Sequence, residues 1–318
     1  MVCADSIAAE LRAMGEVVIE FEDSNAVPSD VDVLWDPRAG GGNPPISGLC
    51  NTGIPLVVTL HGVAPMAIPL SEYYKSWRQR YRGWLANRRK VVSWRSLDGQ
   101  YSAVVTVSSS SRTSILENLP IDPSLLSWCH NAVNHSKFIP NVAAKQSGYL
   151  LHISNDEPRK NVDRICDAYQ MLPKLGRPRL LLKLPSDTHR QSGDGIVVIH
   201  ERLSEEALLD LYQNALAFIF PSLFEGFGLP IIEAMASGCP VITSDTHACA
   251  EVAGNAALLV NPNATAPLLA AMESIIESEA TRDTLRSLGL ERAQYFHWSN
   301  AAKHYLSVFQ SVLTQPKA

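Results

Sequence analysis

Phe218 to Asp245 reads FIFPSLFEGFGLPIIEAMASGCPVITSD, and its punctuation decides the fold. Leu216 to Phe220 is an apolar run of strand length, and the β-branched run Val241 to Thr243 follows about twenty residues later. Between them Pro230 suits the first turn of a helix, where its missing N–H costs nothing, and Gly238-Cys239-Pro240 closes that helix. Strand, glycine-bearing loop, short helix and strand make one βαβ crossover of a parallel sheet. The loop is Glu225-Gly226-Phe227-Gly228-Leu229, and its two glycines let the backbone take positive φ and approach a ligand. Its N–H groups, with the partial positive charge of the helix N-terminus, suit an anion such as phosphate. Glu225 on the loop and Glu233 about one turn into the helix can both border that place, and carboxylates accept hydrogen bonds from hydroxyls, in which sugars are rich. Each has a plainer alternative: Glu233 complements the helix dipole, and Glu225 is a solvated loop residue. A dinucleotide loop of the G-x-G-x-x-G type needs a third glycine where Ile231 stands, which disfavours a Rossmann oxidoreductase.

At 318 residues the chain is long enough for two α/β domains, and a net charge of −5 suggests a soluble globular protein with no nucleic-acid partner. The six cysteines form no C-x-x-C pair and read as reduced core residues of a cytoplasmic protein. His247 and Cys249 are too few ligands for a metal, and no metal or other cofactor is expected. No run reaches the ~18 apolar residues needed to span a bilayer. The start, MVCADSIAAELRAMG, carries Asp5 and Glu10 and reads as an amphipathic helix rather than a signal peptide, with Ile7, Leu11 and Met14 at helical spacing and Gly15 as its stop.

Four strand-like segments follow, EVVIEF (Glu16 to Phe21), DVLW (Asp32 to Trp35), PLVVTLHG (Pro55 to Gly62) and YSAVVTVSS (Tyr101 to Ser109), pointing to a parallel sheet in a first domain over 1–140. His61 ends the third of them, where ligands of such sheets bind. Gly40-Gly41-Gly42 reads either as a surface turn or as a ligand loop. Tyr73 to Arg95 carries eight basic residues and no acidic one, with Trp77, Tyr81 and Trp84 at helical spacing. Such a helix suits the surface of an anionic membrane; the other reading is a solvated helix whose aromatics pack into the domain. Serines at the start of Ser108 to Ile115 cap a helix, and 139–148 is the expected linker. The second domain, over 149–300, opens with YLLHISNDEPRKNVDRICDAYQML, in which Arg159 and Lys160 stand between a strand and a helix. Two cations there can meet a pyrophosphate, Arg by a fork and Lys as a point charge. Strands RLLLKL and GIVVIH and a helix capped by Ser204 follow.

E, seven residues, E with GFGLP inside it resembles the signature of the retaining glycosyltransferases of family 4, the glycosyl transferases group 1. The likeness extends to P-R-K-N at Pro158 to Asn161, to EVAGNAALLVNP (Glu251 to Pro262) and to the last helix, covering Tyr149 to Leu313 and only patches before it. It implies the GT-B fold of two facing Rossmann-like domains, with 301–318 as a closing helix that crosses back to the first. It implies sugar transfer from a nucleotide diphosphate, GDP-mannose-like or a UDP-sugar, to a hydroxyl of a glycan, lipid-linked or small-molecule acceptor, without a metal. In that reading Arg159 and Lys160, with Asn155, Gly226, Phe227, Gly228 and Leu229, hold the donor phosphates, Glu233 the ribose, and Glu225 and His61 the transferred sugar. Asn155 departs from the arginine some members carry there, and Ser154 from a glycine. Ala132 and Asn134 depart from the family's P-N-G-V-D hinge, which Asn131, Val133 and Phe138 match. Members usually begin with a strand and a glycine loop before the first helix, so the first domain reads as shortened unless the start is misassigned or Gly40 to Gly42 substitute. A non-catalytic nucleotide-sugar-binding protein and a GT-B nucleotide-sugar epimerase are the alternatives.

Overall fold

The computed structural model describes residues 2–22, 27–28, 30–141 and 148–314. It forms two compact units, one of Met1–Leu70, Ser76–Ala132 and His297–Ala318, the other of Ser71–Lys75 and Val133–Phe296. Most of the expected linker, 142–147, lies outside the described residues.

The first unit has four parallel strands, β1 (Leu34–Ala39), β2 (Leu56–Leu60), β3 (Ala103–Thr106) and β4 (Leu126–Trp128), side by side in sequence order. Every residue of β2 and β3 is buried, as the unbroken apolar runs require of a sheet covered on both faces. The helix Val2–Ala13 buries Ile7 and Leu11, packs against the helix Trp298–Thr314, and ends before Gly15 at φ +97°. Two expected strands change. EVVIEF forms none: Val17 is 88 % exposed, and the Arg12 guanidinium donates to the Val18 carbonyl and pairs with Glu20 at 2.7 Å. Among the described residues its β-branched run has no neighbouring strand to pair with, and strand propensity alone does not make a ladder. DVLW starts late, and its strand runs through Pro37 with a register shift between Asp36 and Ala39, which a sheet edge tolerates because Pro has no N–H to give. β4, just before the hinge-like residues Asn131 to Phe138, was not expected. Gly41 and Gly42, at φ +59° and +80°, are no loose turn: Lys90 Nζ donates to the Gly41 carbonyl at 2.6 Å and Trp94 Nε1 to that of Gly42 at 3.0 Å.

The second unit has six parallel strands, β5 (Tyr149–Ile153), β6 (Arg179–Lys183), β7 (Ile196–Ile199), β8 (Ala217–Phe220), β9 (Val241–Ser244) and β10 (Leu258–Val260), in the order 10-9-8-5-6-7. The crossover expected from Phe218 to Asp245 is present, with β8, the helix Leu229–Ala236 and β9. Ser204 caps the helix Glu205–Asn214 by accepting from the Ala207 N–H at 3.2 Å. The order of the strands is what positions the site. From β5 the chain steps outward to β6 and β7, then returns to β8 on the other side of β5. Connections therefore leave the carboxyl ends of β5 and β8 in opposite directions, opening the crevice where ligands of such sheets bind.

Candidate active site

The loops after β5 and β8 meet at that crevice. Asn161 makes the join: at φ +63°, a left-handed conformation Asn tolerates better than most residues, its Nδ2 donates to the carbonyls of Pro221 at 2.9 Å and Pro262 at 2.7 Å. The Leu223 N–H donates to the Arg159 carbonyl at 2.7 Å, and the Ser222 hydroxyl oxygen lies 3.1 Å from the same carbonyl. With the backbones fixed, three donors converge on one oxygen of Glu225. Lys160 Nζ lies 2.5 Å from Oε1, an Arg159 guanidinium nitrogen 3.0 Å and the Ser222 hydroxyl 2.5 Å. Arg159 also pairs with Glu157 at 2.7 Å, and Lys160 lies 5.0 Å from the centre of the Phe220 ring. Arg159, Lys160, Glu157 and Glu225 together carry no net charge.

Glu225 is buried, so it is not the solvated loop residue of the plainer reading. Burial by itself would raise its pKa, but the charges of Lys160 and Arg159 and the hydrogen bonds of Lys160 and Ser222 outweigh it and hold the carboxyl below its ordinary range. Glu233 moves the other way. It lies in the helix Leu229–Ala236, accepts a 3.2 Å hydrogen bond from the buried Tyr212 hydroxyl, and has its pKa raised by burial against that bond and the charge of Lys137. Of the loop glycines, Gly228 takes the positive φ, +103°, at the start of the helix, where a Cβ would also stand 3.0 Å from Ile231. Phe227 turns its ring inward against Phe296, with centroids 5.7 Å apart, and so anchors the loop, while Gly226 and Leu229 stay partly exposed.

Asn155 is not brought into this cluster: it is exposed, and its carbonyl accepts from the Ser154 hydroxyl at 2.6 Å. Its neighbour Asp156 instead gathers Arg190 at 2.7 Å and Lys75 at 2.6 Å. His152, fully buried on β5, has Nδ1 2.7 Å from the Ile219 carbonyl, and burial pushes its pKa down to about 4, so it is neutral. Ser222, Tyr212, His152 and Arg190 were not singled out by sequence reasoning.

His61 belongs to the first unit, directly after β2. Its Nε2 lies 2.8 Å from the Pro37 carbonyl, which only accepts, so that nitrogen carries the proton. Burial lowers its pKa against this bond, leaving a neutral ring whose Nδ1 is an acceptor. The ring helps line a small cavity with Trp35, Thr59, Asn131 and Tyr305. Among the described residues no three His, Cys, Asp or Glu side chains are placed to hold a metal ion, and no helix is long and apolar enough to cross a membrane.

Known proteins resemble this chain in both sequence and fold. The family profile of glycosyl transferases group 1 matches residues 189–292. The O-antigen chain mannosyltransferase B of Escherichia coli is 30 % identical over 278 residues, 80 % of this chain and 70 % of that protein. An MMP alpha-(1->4)-mannosyltransferase of Mycolicibacterium hassiacum is 27 % identical, over 91 % of this chain and 72 % of its own length. Among solved structures, a glycosyltransferase of Rickettsia africae superposes with a TM-score of 0.68 at 19 % identity, covering 97 % of this chain and 88 % of that one. The fold is GT-B, with two α/β units built on parallel sheets. The chain belongs to the glycosyl transferases group 1 family.

Proposed function

We propose that this chain is a retaining, metal-independent glycosyltransferase that moves mannose or a related hexose from a nucleotide diphosphate to a hydroxyl of a glycan, lipid-linked or small-molecule acceptor. The observation that carries the reading is the convergence of Arg159, Lys160 and Ser222 on Glu225 where the loops of β5 and β8 meet, beside the N-terminus of the helix Leu229–Ala236. The mannosyl preference is supported by the mannosyltransferases among its relatives.

In the proposed reaction the bond between sugar C1 and the phosphate oxygen breaks while the acceptor oxygen bonds C1 on the same face. The acceptor proton passes to the leaving phosphate. Negative charge grows on the diphosphate, and Lys160, Arg159 and the amides of Gly226 to Leu229 meet it with positive charge already in place, so little reorganisation is needed. Glu225 holds the two cations in one geometry before the donor arrives and then shares them with the phosphates, its carboxylate turning to sugar hydroxyls. Glu233, braced by Tyr212, accepts from the ribose. The unprotonated Nδ1 of His61 accepts from a sugar hydroxyl.

Thermal unfolding against GDP-, UDP-, ADP- and dTDP-sugars tests the donor site, because a ligand at a hundred times its Kd adds about 2.7 kcal/mol. A shift with one nucleotide class, absent in Lys160→Ala and Glu233→Ala, is expected, together with a loss of about 100- to 1,000-fold in Lys160→Ala turnover. Undiminished turnover in that variant removes the phosphate assignment. Chelator should leave turnover unchanged, and a glycosyl adduct trapped on Glu225 would replace same-face attack by double displacement.

A further inference from the structure

The helix Trp77–Ser96 presents two faces of different chemistry. Its inner face is fixed: Trp94 is fully buried with its indole N–H on the Gly42 carbonyl, Lys90 reaches the Gly41 carbonyl, and Asn87 donates to the Pro65 carbonyl at 2.6 Å. Ser76 and Gln79 close its N-terminus with a capping box. At about 100° per residue, Trp77, Tyr81, Trp84, Arg88, Val92 and Arg95 fall on the opposite stripe. The aromatics do not pack into the unit: Trp77 is 70 % exposed, Tyr81 58 %, Trp84 45 % and Val92 62 %. Arg78, Arg82 and Arg89, also exposed, flank the stripe. Tyr73 to Arg95 carries a charge of +8 within a chain of net charge −5.

We propose that this outward face of the helix docks on the interface of an anionic lipid bilayer, its aromatics seated at headgroup depth and its arginines on lipid phosphates. Trp and Tyr favour that depth because one end of the ring system is apolar and the other polar, while arginine stems lie along apolar surface with the charge in the polar layer. The helix is long enough, at about 30 Å, to rest several turns on the surface. The rings argue against a nucleic acid. The Arg78 guanidinium covers one face of Trp77 at 5.5 Å, that of Arg88 lies over Trp84 at 4.9 Å, and Tyr81 stacks on Trp84 at 6.2 Å, which leaves less open ring surface for successive bases to stack on. Val92 gives a polyanion nothing to bind.

The test uses the full chain with vesicles of phosphatidylcholine alone or mixed with phosphatidylglycerol, read by cosedimentation and by quenching of tryptophan fluorescence from brominated acyl chains. Binding to the anionic vesicles only, with quenching, is expected. Each of Arg78→Ala, Arg82→Ala and Arg89→Ala should weaken it about fivefold. Trp77→Ala/Trp84→Ala should abolish the quenching and weaken binding at least tenfold, while thermal unfolding and any donor-induced shift stay as in the parent. No binding to anionic vesicles overturns the proposal, and so does quenching that survives in the tryptophan variant. A single-stranded oligonucleotide or an acidic polypeptide that binds this face when vesicles do not would make it a polyanion or protein surface instead.

Discussion

The two sheets end in opposite chemistries. At the crevice between β5 and β8, four charged groups are drawn together under the loops, and each has a counter-charge within about hydrogen-bond range. At the ends of β1 and β2 the groups around His61 are neutral; the one buried carboxylate on β1 among the described residues, Asp36, stands apart from them and accepts from the Arg38 and Ile46 N–H groups. His61 is held uncharged, and the Thr59 hydroxyl lies 2.8 Å from the Trp35 indole nitrogen and 2.7 Å from the Tyr305 hydroxyl. A desolvated ion is tolerated only while its partners remain, whereas a neutral group loses one hydrogen bond at a time. The charged edge should therefore fail on a single substitution and the neutral edge should degrade by steps.

The largest expected effect is at Glu225. Glu225→Ala leaves Lys160 and most of Arg159 buried without the carboxylate they share, and breaking a buried pair from one side costs about 3–5 kcal/mol. Glu225→Gln keeps an acceptor for Ser222 but not the charge, and should fall between. Calorimetric unfolding of the three proteins measures this. A cost under about 1 kcal/mol in Glu225→Ala would mean the cluster behaves as a solvated surface pair, and the contrast between the two edges would be lost.

Acid titration sharpens the comparison within the charged edge, with a smaller effect. The folded pKa of Glu225 is depressed, so its contribution is fully present above the unfolded carboxylate pKa and disappears as pH falls through the folded value. That of Glu233 is raised, so its ionisation opposes folding increasingly between the unfolded and folded values and by a constant amount above them. Going down from neutral pH, the relief at Glu233 precedes the loss at Glu225. Glu233→Gln should be more stable than the parent at neutral pH while losing donor affinity, and Glu225→Gln should flatten the acid limb. Urea midpoints across the acidic range decide both signs; a Glu233→Gln protein less stable at neutral pH would reverse the assignment.

The sequence announced the crossover around Phe218 to Asp245 because Pro230 and Gly238 punctuate it and only one reading fits. It named Arg159, Lys160 and Glu225 as candidates without revealing that they form one cluster. Their meeting depends on β8 returning beside β5, a fact of strand order that local periodicity does not carry. EVVIEF shows the converse, a strand-like pattern with no partner strand. In Trp77, Tyr81 and Trp84 the spacing defined a stripe but not its direction, because the inner face was decided by Trp94 and Lys90 gripping the loop of Gly41 and Gly42. Asn161 had a signal that went unused: Asn is among the few residues comfortable at positive φ, and here it ties three loops together. Tyr212 and Arg190 had none, since their partners lie 21 and 34 residues away.

The smallest effect belongs to the neutral edge. The Thr59 hydroxyl accepts from the Trp35 indole and shares a hydrogen bond with Tyr305 from the helix Trp298–Thr314. Burial holds the Tyr305 phenol far above its ordinary pKa, so it stays neutral throughout the working range. Tyr305→Phe removes one of the two partners of Thr59 and keeps the ring in its place against Trp35, 5.1 Å away centre to centre, so the cost should be that of one neutral hydrogen bond, about 1 kcal/mol. Thr59→Val strands both the indole N–H and the phenol in a buried site and should cost about 1–3 kcal/mol. The ordering matters more than either number. A stepwise loss from parent to Tyr305→Phe to Thr59→Val, measured by urea unfolding at neutral pH, fits an edge built of separate neutral bonds. A Tyr305→Phe protein as damaged as Glu225→Ala would instead show that this edge, though uncharged, is as tightly coupled as the ionic one, because there the phenol would be holding His61 and Trp35 in place together.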